Sequence, residues 1–155
     1  MVTYGPSRQE IKSVEAKLGY KFKDRWLLRQ ALTHPSAGPF NNYRLSWIGD
    51  AVLGLVVSQL VFDAFPTGST EVLNNMRCQR IRRKVYARAA IEMGWDKILV
   101  VQPPQLKNSE NMLAELFEAV WGALYEDCGA KDKVVRKCYR RCLPLGHHDE
   151  HGSVA

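Results

Sequence analysis

Three acidic residues stand among apolar side chains, in stretches where the core of a helix normally excludes charge. Asp50 follows Gly49 in the run SWIGDAVLGLVV, and Glu115 and Glu118 lie in MLAELFEAVWGALY. Buried acids must be hydrogen-bonded, paired with a base or bound to a metal. Glu115 and Glu118 are three residues apart and therefore share one face of a helix. If this helix packs against the helix of Asp50, the three carboxylates converge.

Converging carboxylates suit one kind of chemistry in particular. Oxygen-only ligands bind Mg²⁺ or Mn²⁺, which keep several waters and need only a few protein carboxylates. Such a centre hydrolyses phosphodiesters by activating water and neutralising charge on the phosphate. The spacing alone leaves a second interpretation open, because structural ion pairs outnumber metal sites. In that interpretation Asp50 caps a helix or pairs with a base such as Arg44, and the two glutamates are half exposed.

Helices must position these acids, because the hydrophobic period is helical along nearly the whole chain. The predicted helices cover residues 9–18, 25–32, 44–62, 70–93, 110–125 and 131–142. Segment 44–62 is apolar nearly all round, which is typical of a central buried helix. Segment 95–101 is consistent with a strand or a helical turn, and we favour the helical turn. The sequence therefore predicts one all-α domain over residues 8–143, followed by a flexible polar tail over residues 144–155.

The charge of the chain is grouped rather than spread. Lys and Arg number 22 against 16 Asp and Glu, which gives a formal charge of +6 in 155 residues. Residues 72–91 include six bases and no acid, and residues 131–141 include six bases and one acid. This asymmetry favours a polyanionic partner. Two solvated helix faces would give the same pattern.

Longer runs of the sequence resemble a known enzyme family. The runs LGYKFKDRWLLRQALTHPSA, NNYRLSWIGDAVLGLVVSQLVFDAFP and MLAELFEAVWGALYEDCG follow one another between about Val14 and Gly129. In this order they resemble the catalytic domain of the ribonuclease III family, whose signature has the form N-x-R-L-E-F-L-G-D-A-V-L. The resemblance implies an all-helical domain that forms a homodimer, with an RNA-binding valley across it and one Mg²⁺ site per subunit. It also implies staggered cleavage of double-stranded RNA.

The resemblance carries the acidic site over with two departures. The family's four acids fall, in order, on Ser46, Asp50, Glu115 and Glu118. By this resemblance Asp50 and Glu118 are catalytic, and Glu115, Glu118 and, through a bound water, Ser46 are metal ligands. The third acid, usually aspartate, is one methylene longer, and the first has lost its charge. Ser46 precedes Asp50 by four residues, so its hydroxyl faces the same site, but we expect weaker Mg²⁺ binding because affinity follows ligand charge.

The acid-free segment provides a candidate RNA-binding surface. Arg77, Arg80 and Lys84 recur at helical spacing and are predicted to form one stripe, with Asn74 and Asn75 beside it. The minor groove of A-form RNA is contacted through phosphates and 2′-hydroxyls, so we expect this row to bind double-stranded RNA. We interpret the second basic segment, residues 131–141, as a solvated face.

Trp47 occupies an aromatic position that, in the resembled family, projects across the dimer interface into a socket on the partner. The alternative is that Trp47 belongs to the core, as a tryptophan at helical spacing usually does. Enzymes of the family often add a separate double-stranded-RNA-binding domain. None follows here, so we expect modest affinity or a separate partner protein that supplies RNA binding.

Two functions remain open at this stage: a metal-dependent endoribonuclease, and an inactive ribonuclease III-like protein that binds RNA or assembles into ribosomal or splicing particles. No apolar stretch reaches the length of a membrane span, and no targeting signal is recognisable, so we expect no membrane association. Four cysteines lack zinc-site spacing and are predicted to be free thiols in an intracellular, reducing compartment. His34 is interpreted as structural, and His147, His148 and His151 as solvated.

Overall fold

Seven α-helices make up the fold in a computed structural model that describes residues 5–106 and 108–143. They are α1 (Arg8–Leu18), α2 (Arg25–Ala31), α3 (Tyr43–Ala64), α4 (Thr70–Cys78), α5 (Arg83–Glu92), α6 (Glu110–Asp127) and α7 (Asp132–Cys142). Two short 3₁₀ turns cover Pro35–Ala37 and Trp95–Lys97. The predicted all-α class is confirmed. The predicted tail over 144–155 lies outside the described residues.

Local sequence signals fix where several helices begin and end. The side chains of Ser7, Asp24, Ser69 and Ser109 each accept a hydrogen bond from a backbone N–H of the first turn, in α1, α2, α4 and α6. Such caps satisfy donors that have no partner inside the helix. Gly19 ends α1 in the left-handed region at φ 68°, which glycine adopts without steric cost.

The predicted helix over residues 70–93 is wrong in one respect, because the structure divides it. The helix α4 ends at Cys78, and Arg82 takes an extended conformation before α5 begins. The guanidinium Nε of Arg82 donates to the carbonyl oxygen of Cys78 at 2.9 Å, which satisfies a backbone group freed by the break. Helix α4 packs on α3 whereas α5 packs on α6, so tertiary contacts divide a segment whose hydrophobic period is continuous.

Helix α6 lies at the centre of the fold and is the more completely buried of the two long helices. It packs extensively against both α3 and α5, and its residues 116–124 are all buried. The prediction that segment 44–62 is a buried helix is only half right. One face of α3 packs on α6, but its other face exposes Tyr43, Trp47, Leu55 and Phe62.

Helix α3 is the one helix in the described part of the chain with the length and hydropathy of a membrane span, so the expectation that no apolar stretch reaches this length is wrong. Half of its apolar window is buried inside the fold. The core helix of a folded domain meets the same criterion, and the packing of α3 on α6 is of that kind.

Candidate active site

Two glycines bring the acidic helices together. A methyl group on Gly49 of α3 would overlap the carbonyl oxygen of Glu118 of α6, and one on Gly122 would overlap the carbonyl oxygen of Leu45. The two backbones therefore meet where only hydrogen fits at both positions. Because Asp50 follows Gly49 and Glu118 lies at the contact itself, the crossing brings these two acids into one neighbourhood. The sequence makes a convergence of the acids conditional on the packing of their two helices, and α3 does pack on α6.

Glu118 is a buried carboxyl, with 8% of its surface exposed. Burial, which is the largest cause, and the negative charge of Asp50 together raise the pKa of Glu118 to about 7. The positive charge of Arg83 opposes this shift, and Glu115 adds a weaker upward contribution. The negative charge around this carboxyl exceeds the positive charge that the protein supplies nearby. A bound cation would neutralise that excess.

The other site positions differ in exposure. Asp50 is exposed, so the expectation that it is buried among core residues is wrong. It also forms no ion pair within the described residues, which removes the alternative of a pair with Arg44. Ser46 is buried, one turn before Asp50 on α3. Glu115 is half-buried, one turn before Glu118 on α6.

Arg83 is part of this neighbourhood, although in the sequence it is only one of the six bases within residues 72–91. Its guanidinium lies 3.9 Å from a carboxylate oxygen of Glu115 and donates a long hydrogen bond of 3.4 Å to the side chain of Asn111. The side chain of Arg83 is 58% exposed, so water screens this pair and its contribution to stability is small. The effect of Arg83 is electrostatic and local, because its guanidinium places a positive charge beside the acids.

The donor set fits a hard divalent cation in kind but is sparse in number. All of its donors are oxygen atoms, and Glu118 combines burial with the charge of two neighbouring acids. Yet within residues 5–106 and 108–143 no three His, Cys, Asp or Glu side chains approach closely enough to ligate one ion. Electrostatic repulsion acts over longer distances than ligation, so both observations hold together. Mg²⁺ needs only one or two protein carboxylates, and Glu115 and Glu118 are the two that could hold it.

The predicted basic stripe does not lie on one helix, because the break at residues 79–82 separates its members. Arg77 is half-buried and donates to the hydroxyl of Ser58 at 3.1 Å and to the side chain of Asn74 at 3.0 Å. Its position therefore ties α4 to α3. Asn75 and Lys84 are exposed, whereas Arg80 is partly buried.

Trp47 is 79% exposed, so the alternative that it belongs to the core is wrong. It borders a groove of 560 Å³ whose other lining residues are Leu27, Gln30, Arg44, Leu45, Ile48 and Glu126. With Tyr43, Leu55 and Phe62 it forms the exposed apolar face of α3, which we call the α3 face. An apolar surface of this kind is typical of a protein interface.

The histidine and cysteine residues, which could also suggest a metal site, have structural surroundings where they are described. The Nδ1 atom of His34 accepts from the backbone N–H of Ser36 at 3.0 Å, so its structural interpretation is confirmed. All four cysteines are free, and Cys128 and Cys138 are buried. The three other histidines, 147, 148 and 151, lie outside the described residues.

Comparison with known proteins agrees with this geometry. Residues 43–129 match the ribonuclease III domain. A curated ribonuclease 3 of Nitratiruptor is 36% identical over 126 residues, which cover 78% of this chain and 56% of that protein, so the chain spans little more than half of that relative.

Two solved structures are similar in fold. The nuclease domain of ribonuclease III from Campylobacter jejuni, described as flexible in a region involved in dimer formation, superposes with a TM-score of 0.77 at 29% identity. That match covers 87% of this chain and 99% of the Campylobacter chain. Dicer from Pichia stipitis superposes with a TM-score of 0.63 at 29% identity, over 79% of this chain and 54% of Dicer. The chain belongs to the ribonuclease III family.

Proposed function

We propose that this chain is an endoribonuclease that hydrolyses the phosphodiesters of double-stranded RNA with Mg²⁺, acting as a homodimer. The observation that carries the proposal is the buried carboxyl of Glu118 at the glycine crossing, beside Asp50 and Glu115. A structural role would favour a partner base for each of these acids, whereas a cation site requires acids in excess. Membership of the ribonuclease III family supports the same chemistry.

Glu115 and Glu118 would hold the ion, and Ser46 would hold one of its waters. Bound Mg²⁺, or Mn²⁺ in its place, would supply a lowered pKa for an attacking water and charge neutralisation at the phosphate. Glu118 is buried, whereas Asp50 is exposed to solvent, where it would orient the attacking water. Ser46 contributes no charge, so the metal affinity is lower than that of a four-acid site.

The α3 face is the proposed dimer interface, with a second copy of this chain as its occupant. Trp47 would enter the groove beside the partner's copy of the same residue, because a twofold axis presents each surface to itself. Exposed large aromatic side chains next to a groove are typical of interface anchors. A dimer places two sites on one duplex, as cleavage of both strands requires.

The proposed RNA surface includes Asn74, Asn75, Arg80 and Lys84, at the end of α4 and the start of α5. Arg83, in the same turn as Lys84, joins this surface to the acids. Phosphates that approach Lys84 therefore also approach the candidate site. A separate RNA-binding partner protein would strengthen binding. We also propose a reducing, intracellular compartment, because the four cysteines are free.

Two observations favour a second candidate function, an RNA-binding or assembly protein that does not cleave. Ser46 stands where the resembled site has an acid, and the described side chains include no ready-made three-acid cluster. A protein of this type would keep the RNA surface and the α3 face while lacking catalysis.

Cleavage of a labelled 30-base-pair RNA duplex tests the two candidates directly. We expect cuts on both strands in Mg²⁺ or Mn²⁺, and their loss in Glu118→Gln and Asp50→Asn. The matched control is Glu92→Gln, an exposed acid of α5 that should cleave as the unmodified protein does. An intact duplex in both metals, with RNA binding retained, would establish the non-cleaving function.

Two further variants examine the metal and RNA surfaces. Ser46→Glu restores a charge beside Asp50, so the Mg²⁺ concentration for half-maximal cleavage should fall; an unchanged value would mean that residue 46 is not a ligand position. Lys84→Ala should reduce the slope of log affinity against log salt by about one, because one phosphate contact is lost. An unchanged slope would remove Lys84 from the RNA surface.

A further inference from the structure

Helix α5 turns two polar side chains towards the acidic face of α6. Arg83 lies beside Glu115. Tyr86 follows Arg83 by three residues and therefore lies on the same face of α5. Its ring stacks on Phe117, with ring centroids 5.2 Å apart and an interplanar angle of 25°. Glu118 follows Phe117 on α6, and it is near enough to Tyr86 for its charge to act on the Tyr86 hydroxyl.

The hydroxyl of Tyr86 has no hydrogen-bond partner within the described residues, although Tyr86 is only 2% exposed. Buried polar groups in folded proteins are nearly always paired, so an unpaired one requires an explanation. The surroundings of this hydroxyl are negative. Burial raises the pKa of Tyr86, and the nearby Tyr139, Glu118 and Asp50 raise it further, in that order. The hydroxyl therefore stays protonated and is available as a donor.

We propose that Tyr86 is a positioning residue of the candidate site, whose hydroxyl donates a hydrogen bond to the carboxylate of Glu118 when that carboxylate is ionised and holds a divalent cation. This inference rests on the proposed function. An ionised carboxylate has more acceptor sites than one cation occupies, so it can accept from a donor behind it. Partners of this kind orient the ligand and raise its affinity for metal. A site without charge at Ser46 depends more strongly on the orientation of its remaining acids.

Tyr86→Phe tests the proposal, because it removes only the hydroxyl and keeps the stacked ring. The measurement is Mn²⁺ binding to the full chain without RNA, followed by electron paramagnetic resonance of the free ion, with thermal unfolding in EDTA beside it. We expect about tenfold weaker Mn²⁺ binding in Tyr86→Phe. Its unfolding temperature in EDTA should be unchanged or higher, because the lost hydroxyl had no partner in the cation-free protein.

Tyr20→Phe is the matched control. The hydroxyl of Tyr20 donates to a carboxylate oxygen of Asp127 at 2.7 Å, at a contact between the start of the chain and the end of α6. Its loss should lower the unfolding temperature and leave Mn²⁺ affinity unchanged. The two variants thus separate a role in metal binding from a role in folding.

Glu118→Gln in the same titration separates this inference from the proposed function. If Glu118→Gln abolishes Mn²⁺ binding and Tyr86→Phe binds as the unmodified protein does, Tyr86 is a core aromatic residue and the proposed function stands. If Glu118→Gln binds Mn²⁺ unchanged, both proposals are overturned. Should Tyr86→Phe not fold, 3-fluorotyrosine at position 86 gives a ¹⁹F signal that should shift on addition of Mg²⁺; a constant signal overturns the inference.

Discussion

Glu118 should weaken the metal-free fold at neutral and alkaline pH, and Glu118→Gln should remove that weakness. Glutamine has nearly the same size and cannot ionise. The pKa of Glu118 is about 7 in the folded protein, against an ordinary value of 4.5. Each pKa unit corresponds to about 1.4 kcal/mol, so ionisation of this buried carboxyl costs on the order of 3 kcal/mol of folding free energy.

The direction of the pH dependence follows from the raised pKa. Below about pH 4.5 the carboxyl is protonated in both the folded and the unfolded chain, so the two proteins should have equal stability. As pH rises from 4.5 to 7 the unfolded chain loses its proton first, and the unmodified protein loses stability. Above pH 7 the full cost applies, so Glu118→Gln should unfold at a temperature higher by roughly 6 to 12 °C.

Thermal unfolding in EDTA between pH 4 and pH 9, with Glu92→Gln as an exposed control, measures this difference. Addition of Mg²⁺ should then stabilise the unmodified protein more than Glu118→Gln, because the variant lacks one of the two proposed ligand carboxylates. Parallel stability curves for the unmodified protein and Glu118→Gln across the whole pH range would refute the reasoning, since they would mean that Glu118 ionises in the fold without cost.

Four further substitutions, one of them a control, test other parts of the structure. Gly122→Ala should destabilise the fold by about 3 kcal/mol or more in urea unfolding, because the added methyl group forces α3 and α6 apart. The control is Gly54→Ala, whose methyl group would face open space and should stabilise α3 by up to about 1 kcal/mol. Equal effects of the two substitutions would contradict the glycine crossing. Arg77→Ala should lower the free energy of unfolding by about 1 to 2 kcal/mol, because its hydrogen bonds to Ser58 and Asn74 are lost. The slope of log RNA affinity against log salt should stay the same. A changed slope would place Arg77 on the RNA surface after all. Trp47→Ala should weaken the dimer by about 30-fold or more in sedimentation, and an unchanged dissociation constant would place the interface elsewhere.

The helical architecture could be predicted from the sequence because its signals are local. Apolar spacing and the caps at Ser7, Asp24 and Ser69 depend on residues within one or two turns, so the predicted ends lie close to the observed ones. The break between α4 and α5 has no such signal. No proline or glycine occurs between Cys78 and Arg83, and the chain divides there because the two halves pack on different helices.

The residues of the candidate site could be predicted from the sequence, but the burial and exposure of each residue could not. The spacing of Glu115 and Glu118 and the resemblance at Asp50 identified the acids. Exposure depends on tertiary packing, so the sequence did not distinguish the exposed Asp50 from the buried Glu118. Arg83 and Tyr86 could not be identified from the sequence for a related reason: they lie near the acids only because of the way α5 packs on α6.

The glycine crossing makes folding and the proposed catalysis separable by mutation. Main-chain atoms at Gly49 and Gly122 set the distance between α3 and α6, so the acids attach to a frame that does not depend on them. A neutral side chain at position 118 should therefore leave the helices, the α3 face and the RNA surface where they are. Such a variant would act as a trap that retains an uncut duplex, and it offers a direct route to isolating the natural RNA from cells.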